Sequence, residues 1–280
     1  MKHITSLENS IIKKALSLKQ RKAREKAGLY LIEGLHLCKE ALGAAEDIQV
    51  FFVKDSVLQK AEDQDVKDII EQSQEVGIKI TLLSDNVFDK LMDTETPQGI
   101  SGIVRRRIWD AESFFGADKR KGHGNLLVMD RIQDPGNAGT LIRTAEAAGY
   151  QGILVLKGTV DLFSPKVVRS ASGSLFRMPV LFTESVKETV ELLHSRQKRV
   201  IVATPHCDSF HFQVPLDKDV AFVIGNEAGG VSREFLDMSD SHVKIPMSES
   251  VESLNAAVAA GILMYESVRQ NFHKEAEEKK

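Results

Sequence analysis

Cysteine is almost missing from this chain, and no apolar run in it is long. Of 280 residues only Cys38 and Cys207 are cysteines, far apart, which excludes a disulfide framework and CxxC metal spacing and fits a reducing, cytoplasmic compartment. No apolar stretch approaches the ~18 residues of a membrane span, and the charged start lacks the continuous apolar segment of a secretory signal. There is one tryptophan, and the formal net charge of −3 decides nothing about nucleic acid by itself. Neither GxGxxG nor the Gly-Lys-Ser/Thr of a phosphate loop occurs after a strand, which argues against a nicotinamide enzyme or a nucleotidase.

The apolar fraction of 42% is that of a globular chain able to bury a sizeable core. Met1 to Tyr30 carries eight lysines and arginines (Lys2, Lys13, Lys14, Lys19, Arg21, Lys22, Arg24, Lys26) against Glu8 and Glu25. This basic arm, with apolar positions at helical spacing, serves equally as a solvated helix face or as a phosphate contact, and it lacks interleaved aromatics for base stacking. Strands are expected at 30–32, 48–53, 78–83 and 100–104, separated by helices at 35–42 and 66–76. Such alternation predicts a small α/β domain with a mainly parallel sheet over residues 1–106.

Residues 107–123 break the pattern with charged residues and glycines and read as a linker, with a short helix around 110–115. A second α/β domain over 124–272 has longer apolar strands at 126–129, 153–156, 200–203, 220–224 and 243–245, as expected of an open parallel sheet covered on both faces. Residues 273–280 form a charged tail, a fraying helix end.

Three loops in the second domain carry the chemistry. LLVMDRIQDPGNAGTLIRTAEAAGY, 126–150, is a strand, a turn and a helix start, with Asn137 at the expected N-cap and Arg143 six residues on, away from Asn137's face. GNEAGG (225–230) and PMSESVESLN (246–255) follow later strands. Loops after adjacent parallel strands line one crevice, so Asn137, Glu227, Ser253 and Asn255 can face a common ligand. Taken singly, a cap explains Asn137, an ion pair with Glu146 explains Arg143, and a capped turn explains Glu227. Ser172 lacks the GxSxG elbow and a partner pair. His206, Cys207, Asp208 and His211 are poorly spaced for zinc. The stretch 256–264 is apolar all round and is expected to be buried on all sides, between the sheet and a second subunit.

Together, NxGxxxR at Asn137, Gly139 and Arg143, GNEAGG at 225–230, and IPM at 245–247 with SLN at 253–255 strongly resemble the three signature motifs of SpoU/TrmH-type RNA ribose methyltransferases, in the SPOUT superfamily. VVRSASG at 167–173 is similar as well. The resemblance implies an α/β domain whose C-terminal part is a trefoil knot, although knots are essentially absent from protein folds. It implies that Thr204, Gly225, Ile245 and Leu254 hold S-adenosylmethionine without a metal. Arg143, Asn137, Glu227, Ser253 and Asn255 take the catalytic positions, and a homodimer completes the site with Arg143 of the neighbour. Glu227 is left with two roles, orienting Arg143 or ordering its loop. The first domain, through Glu33-Gly34 and 96–102, resembles a ribosomal-protein-like substrate-binding domain. It favours methylation of ribosomal RNA. A transfer-RNA 2′-O-methyltransferase and a non-catalytic RNA-binding protein on the same fold are the alternatives.

Overall fold

The computed structural model describes residues 1–59, 64–116 and 124–278. Residues 117–123 of the expected linker and 279–280 of the expected tail lie outside them. The chain divides into two compact units, one of residues 1–107 with 161–176, the other of residues 108–160 with 177–280. The division at 107/108 falls within the stretch where the pattern breaks. Residues 161–176, which the sequence places inside the second domain, pack instead with the first unit.

The first unit is a five-stranded sheet of β1 (Lys2–Ile4), β2 (Leu29–Glu33), β3 (Ile48–Lys54), β4 (Ile80–Leu83) and β5 (Ile100–Arg105), in the order β1-β4-β3-β5-β2. The expectation of a mainly parallel sheet is corrected: β1 and β3 run parallel to β4, but β5 is antiparallel to both β2 and β3. The connection before β5 supplies the reason. Its helix, Asp85–Leu91, has seven residues and is about 10 Å long, roughly half the ~20 Å of a six-residue strand. The chain therefore stays at the same sheet edge, where Glu33 accepts hydrogen bonds from the amides of Asp93 and Thr94, and β5 runs back down.

The basic arm is two helices. Asn9 caps the first, Ser10–Ser17, whose Ile12 and Ala15 are buried with Leu18. Gly28, at φ 62°, ends the second, Arg21–Ala27, in the left-handed conformation that glycine adopts readily. Part of the basic cluster is engaged by the protein's own groups. Arg24 is 6% exposed, donates to the carbonyls of Leu18 and Lys19, and pairs with Asp161 at 2.5 Å. Lys19 pairs with Asp93 and Arg21 with Glu25.

The second unit is a six-stranded, wholly parallel sheet of β6 (Leu126–Asp130), β7 (Gly152–Leu156), β8 (Val180–Thr183), β9 (Arg199–Ala203), β10 (Val220–Gly225) and β11 (Ser241–Val243), in the order β11-β9-β10-β6-β7-β8. The sequence reading misses β8, a four-residue edge strand directly after Pro179 with Phe182 exposed. From β6 the chain builds outward through β7 and β8, then returns to lay β9, β10 and β11 on the other side. The strand order thus reverses between β6 and β10, where open α/β sheets leave a crevice for ligands.

The last helix, Ala256–Glu278, packs on the helix Pro135–Ala147. Within the single chain only one face of it is covered. Ala257, Ala260, Leu263 and Met264 are buried, whereas Val258 (53%), Ile262 (37%) and Tyr265 (50%) face out of the single chain. Asn125, only 2% exposed, ties its middle to the sheet by donating to Ser267 and to the carbonyls of Leu216 and Asp217 while accepting from the amide of Val220.

Breaking a buried ion pair from one side leaves its partner charged and unmatched. Arg24→Ala is expected to destabilise the protein by about 3–5 kcal/mol in urea unfolding. Lys22→Ala, exposed in the same basic cluster, should shift stability by no more than about 0.5 kcal/mol.

Candidate active site

The turn after β6 begins the helix Pro135–Ala147, and Asp134 is its N-cap, accepting from the amide of Asn137 at 2.7 Å. Asn137 is therefore not the cap. An aspartate followed by proline at the first helical position was the readable signal for this arrangement. It leaves the Asn137 side chain free.

That side chain forms the middle of a bonded chain across three loops. Asn137 Nδ2 donates to Glu227 Oε1 at 2.9 Å, and Asn137 Oδ1 accepts from Asn255 Nδ2 at 2.9 Å. Asn255 Oδ1 in turn accepts from the amides of Ala257 and Val258, capping the last helix. Glu227 also receives the amides of Gln133 and Asp134. Because carboxylate oxygens only accept and backbone amides only donate, both ends of the chain fix which way each asparagine amide points.

Burial pushes the Glu227 carboxyl up. The hydrogen bonds from Asn137 and from the amides of Glu227, Gln133 and Asp134 outweigh it and hold the group below the usual glutamate range. Beneath it, two residues of the motif stretches that were not among the candidate site residues join the same loops. Asp130, fully buried, accepts from the amide of Ser232 at 2.6 Å, and Asn226 Nδ2 donates to the carbonyl of Arg131 at 2.9 Å. Gly225 cannot be replaced without moving backbone, since a Cβ there would lie 2.2 Å from Gly230 C and Val231 N.

The other expected site residues divide. Thr204, Gly225 and Ile245 stand at or just beyond the carboxyl ends of β9, β10 and β11, neighbours in the sheet, and the Thr204 amide donates to the Val243 carbonyl. Beyond them, Phe210 and Lys244 pair as a parallel bridge, so the segments after β9 and β11 run together. Leu254 is half-buried beside Asn255. Backbone groups at three adjacent strand ends with apolar Ile245 and Leu254 suit an adenine-bearing cofactor, which needs apolar walls and backbone hydrogen bonds. Ser253 is exposed and takes no part in the bonded chain.

Arg143 is exposed and joins neither that chain nor Glu146, which pairs with Arg177 instead. Ser172 has a partner that the sequence did not reveal, His36 Nε2 at 3.1 Å, but His36 bonds no carboxylate among the described residues. His206, Cys207 and Asp208 belong to no group of three or more metal-ligating side chains among the described residues.

These features define an α/β protein with an open parallel sheet whose carboxyl edge gathers its polar loops. Residues 124–265 match the SpoU rRNA methylase family and residues 9–102 the MRM3-like substrate binding domain. The chain is 34% identical over 265 residues, 95% of its length and 98% of the relative's, to the 23S rRNA (guanosine(2553)-2′-O)-methyltransferase RlmP of Bacillus subtilis. Among solved structures it is similar to the AdoMet-bound rRNA methyltransferase from Sinorhizobium meliloti (27% identity, TM-score 0.83, covering 96% of this chain and 97% of that one). It is also similar to the SpoU methyltransferase AviRb from Streptomyces viridochromogenes in complex with AdoMet (26%, TM-score 0.84, covering 95% and 99%). The chain belongs to the SpoU rRNA methylase family.

Glu227 makes its bonds as an ion, so with a lowered folded pKa its contribution is fully present above the ordinary value of about 4.3 and is lost as pH falls through the lowered one. In thermal unfolding, wild type should exceed Glu227→Gln in stability at neutral pH, by a margin that shrinks below about pH 4. A margin unchanged down to about pH 3 would show that the charge does not hold the loops.

Proposed function

We propose that this protein, an S-adenosylmethionine-dependent RNA ribose 2′-O-methyltransferase, modifies ribosomal RNA as a homodimer whose sites each borrow Arg143 from the partner. The observation that carries the reading is the bonded chain Glu227–Asn137–Asn255 at the sheet's switch point, on three loops that carry the motifs of the family. The cofactor belongs at Thr204, Gly225, Ile245 and Leu254, within a trefoil knot of the three C-terminal loops. The pairing of the segments after β9 and β11 supports that topology. When bound, S-adenosylmethionine supplies a methyl group already activated on a sulfonium, so the protein's task is alignment and charge stabilisation.

The chain's own residues offer donors for that task. Asn137 and Asn255 each commit one N–H of the side-chain amide and keep the other for a ligand, directed by bonds on either side. Such fixed donors suit an oxygen that gains negative charge as its proton leaves. Glu227, held ionised well into acid, is a poor base for a ribose hydroxyl. Of its two roles we assign it the ordering of the loops. Arg143 resists deprotonation, so its role is to position the target phosphate and stabilise the oxyanion. Ser253, exposed at the same loop, is placed on the RNA side.

The partner subunit is the natural cover for Val258, Ile262 and Tyr265, a stripe at i, i+4 and i+7 that the described residues of the single chain leave exposed. Arg143, with no partner among the described residues, lies on the helix against which that last helix packs. The first unit, matching a substrate-binding domain, supplies RNA selection. The B. subtilis relative's name makes a guanosine ribose in 23S rRNA the first nucleotide to examine.

Loss of one 2′-O-methyl group from ribosomal RNA in cells lacking the gene is the expected result, and an unchanged ribosomal RNA methylation map would refute the substrate. Arg143→Ala and Asn137→Ala are each expected to abolish methylation with S-adenosylhomocysteine affinity within a few fold. Refolded together they should regain about a quarter of wild-type activity, because half the dimers carry one intact site. A mixture that stays inactive would place Arg143 in its own subunit's site. In light scattering, Tyr265→Asp should give monomers, whereas wild type found only as monomer at micromolar concentration would remove the dimer altogether.

A further inference from the structure

Arg131 follows Asp130 at the end of β6 with φ 58°, a backbone conformation that side chains disfavour. Four other described non-glycine residues share a positive φ: Ala45, Ser172 and Gln197 at helix ends, and Asp219 before β10. Arg131 alone stands at the carboxyl end of a strand. Its conformation is held from several sides. The carbonyl of Arg131 accepts from Asn226 Nδ2 at 2.9 Å and from Gln133 Nε2 at 3.3 Å. Its Nε donates to Asp130 Oδ1 at 2.9 Å, and the fully buried Asp130 has its other oxygen taken by the Ser232 amide. Gly158 lies against the stem, where a Cβ would come 3.2 Å from Arg131 Cγ.

The result is an aimed guanidinium. The side chain is 44% exposed, and its two terminal nitrogens bond nothing among the described residues. Glycine would satisfy this backbone at lower cost, so what the position gains from arginine lies in the side chain. Two parallel N–H donors on a fixed stem match the oxygens of a phosphate, and the network spares a ligand the entropy of ordering a free arginine. The cofactor's expected contacts are at the ends of β9, β10 and β11, whereas Arg131 ends β6 and touches the turn after β7, beside Gln133 and Asp134, which bind Glu227.

We propose that Arg131 binds a backbone phosphate of the substrate RNA next to the methylated ribose, with Asp130 as the positioning residue that aims it. This rests on the reading of the ligand as ribosomal RNA.

The test uses the full-length protein and an RNA fragment containing the methylated nucleotide, with binding followed as a function of KCl concentration. Arg131→Gly accepts the positive φ, and Arg131→Met keeps the stem against Gly158 without the charge. Both are expected to raise KM for RNA by about five- to thirtyfold and to reduce the slope of log K against log[salt] by about 0.7–0.9, one phosphate contact. The turnover number and calorimetric affinity for S-adenosylhomocysteine should stay within about twofold, and Arg131→Lys should keep the slope with a smaller rise in KM. An unchanged slope and KM in both uncharged variants would overturn the proposal, and so would a loss of S-adenosylhomocysteine affinity with RNA binding intact, which would give Arg131 to the cofactor. If wild type itself shows no salt-dependent binding to the fragment, the assignment of RNA as the ligand fails, and the inference with it.

Discussion

Glu227 accepts hydrogen bonds from two backbone amides at the start of one helix and from Asn137, which is bonded in turn to the cap of another. All three donors lie in the turn and first helical residues after β6, and Asn137 carries the link on to Asn255, so through this carboxylate the ends of β6 and β10 and the start of the last helix are held in register. The ends of parallel strands have no hairpin to hold them together. Here side chains substitute for it: Asp130 grips Ser232, Asn226 grips Arg131, and Glu227 completes the set above them. The loop 225–230 can fold so closely only because Gly225 has no side chain in the way. Every group that the proposed chemistry uses at this edge depends on that registration.

A consequence is that the site consists mainly of directed donors. Both asparagines are oriented by partners whose own polarity is unambiguous, and the Glu227 carboxylate is favoured in its charged form by the bonds it accepts. Such a site is suited to stabilising an oxygen that becomes negative, with the methyl donor supplying the reactivity. Arg143 stands apart from it within a single chain, and the apolar stripe of the last helix is left uncovered there. The homodimer proposed above is the one arrangement that addresses both features at once, with the stripe as its interface and Arg143 reaching the neighbouring site.

The first unit uses its charge differently from what its composition suggests. Arg24 is an internal brace, bound to two carbonyls and to Asp161, and Lys19 closes on Asp93 and on carbonyls of the neighbouring loop. Tyr30 packs against Phe163 with ring centroids 5.0 Å apart, and Arg169 approaches Glu33 at 3.6 Å. Residues 161–176 thus complete the unit's core and ion pairs although they come from the middle of the second domain's sequence.

Sequence by itself determined the alternation of strands and helices, the long apolar strands of the second domain, the three motif loops and the family resemblance, because burial pattern and motif spacing are local properties. The rule that loops after adjacent parallel strands converge put Asn137, Glu227, Ser253 and Asn255 at one crevice. It describes Asn137 and Glu227, after the neighbouring β6 and β10, whereas Asn255 follows the edge strand β11 and meets Asn137 only by way of the segment 244–255, and Ser253 stays outside the bonded chain. What sequence could not decide depends on partners distant in the chain. Strand direction in the first sheet followed from how far a seven-residue helix can carry the chain. The cap at Asp134 freed Asn137, because the two residues compete for one helix start and only geometry assigns it. The pairing of Glu146 with Arg177 rather than Arg143, and the commitment of Arg24 to Asp161, required knowing which charges meet in space. The helix 256–264 reads as apolar on every side, yet only the tertiary structure shows which face the sheet's helices cover and which is left for something else. Hydrophobicity records that a surface avoids water, and folding chooses what it meets.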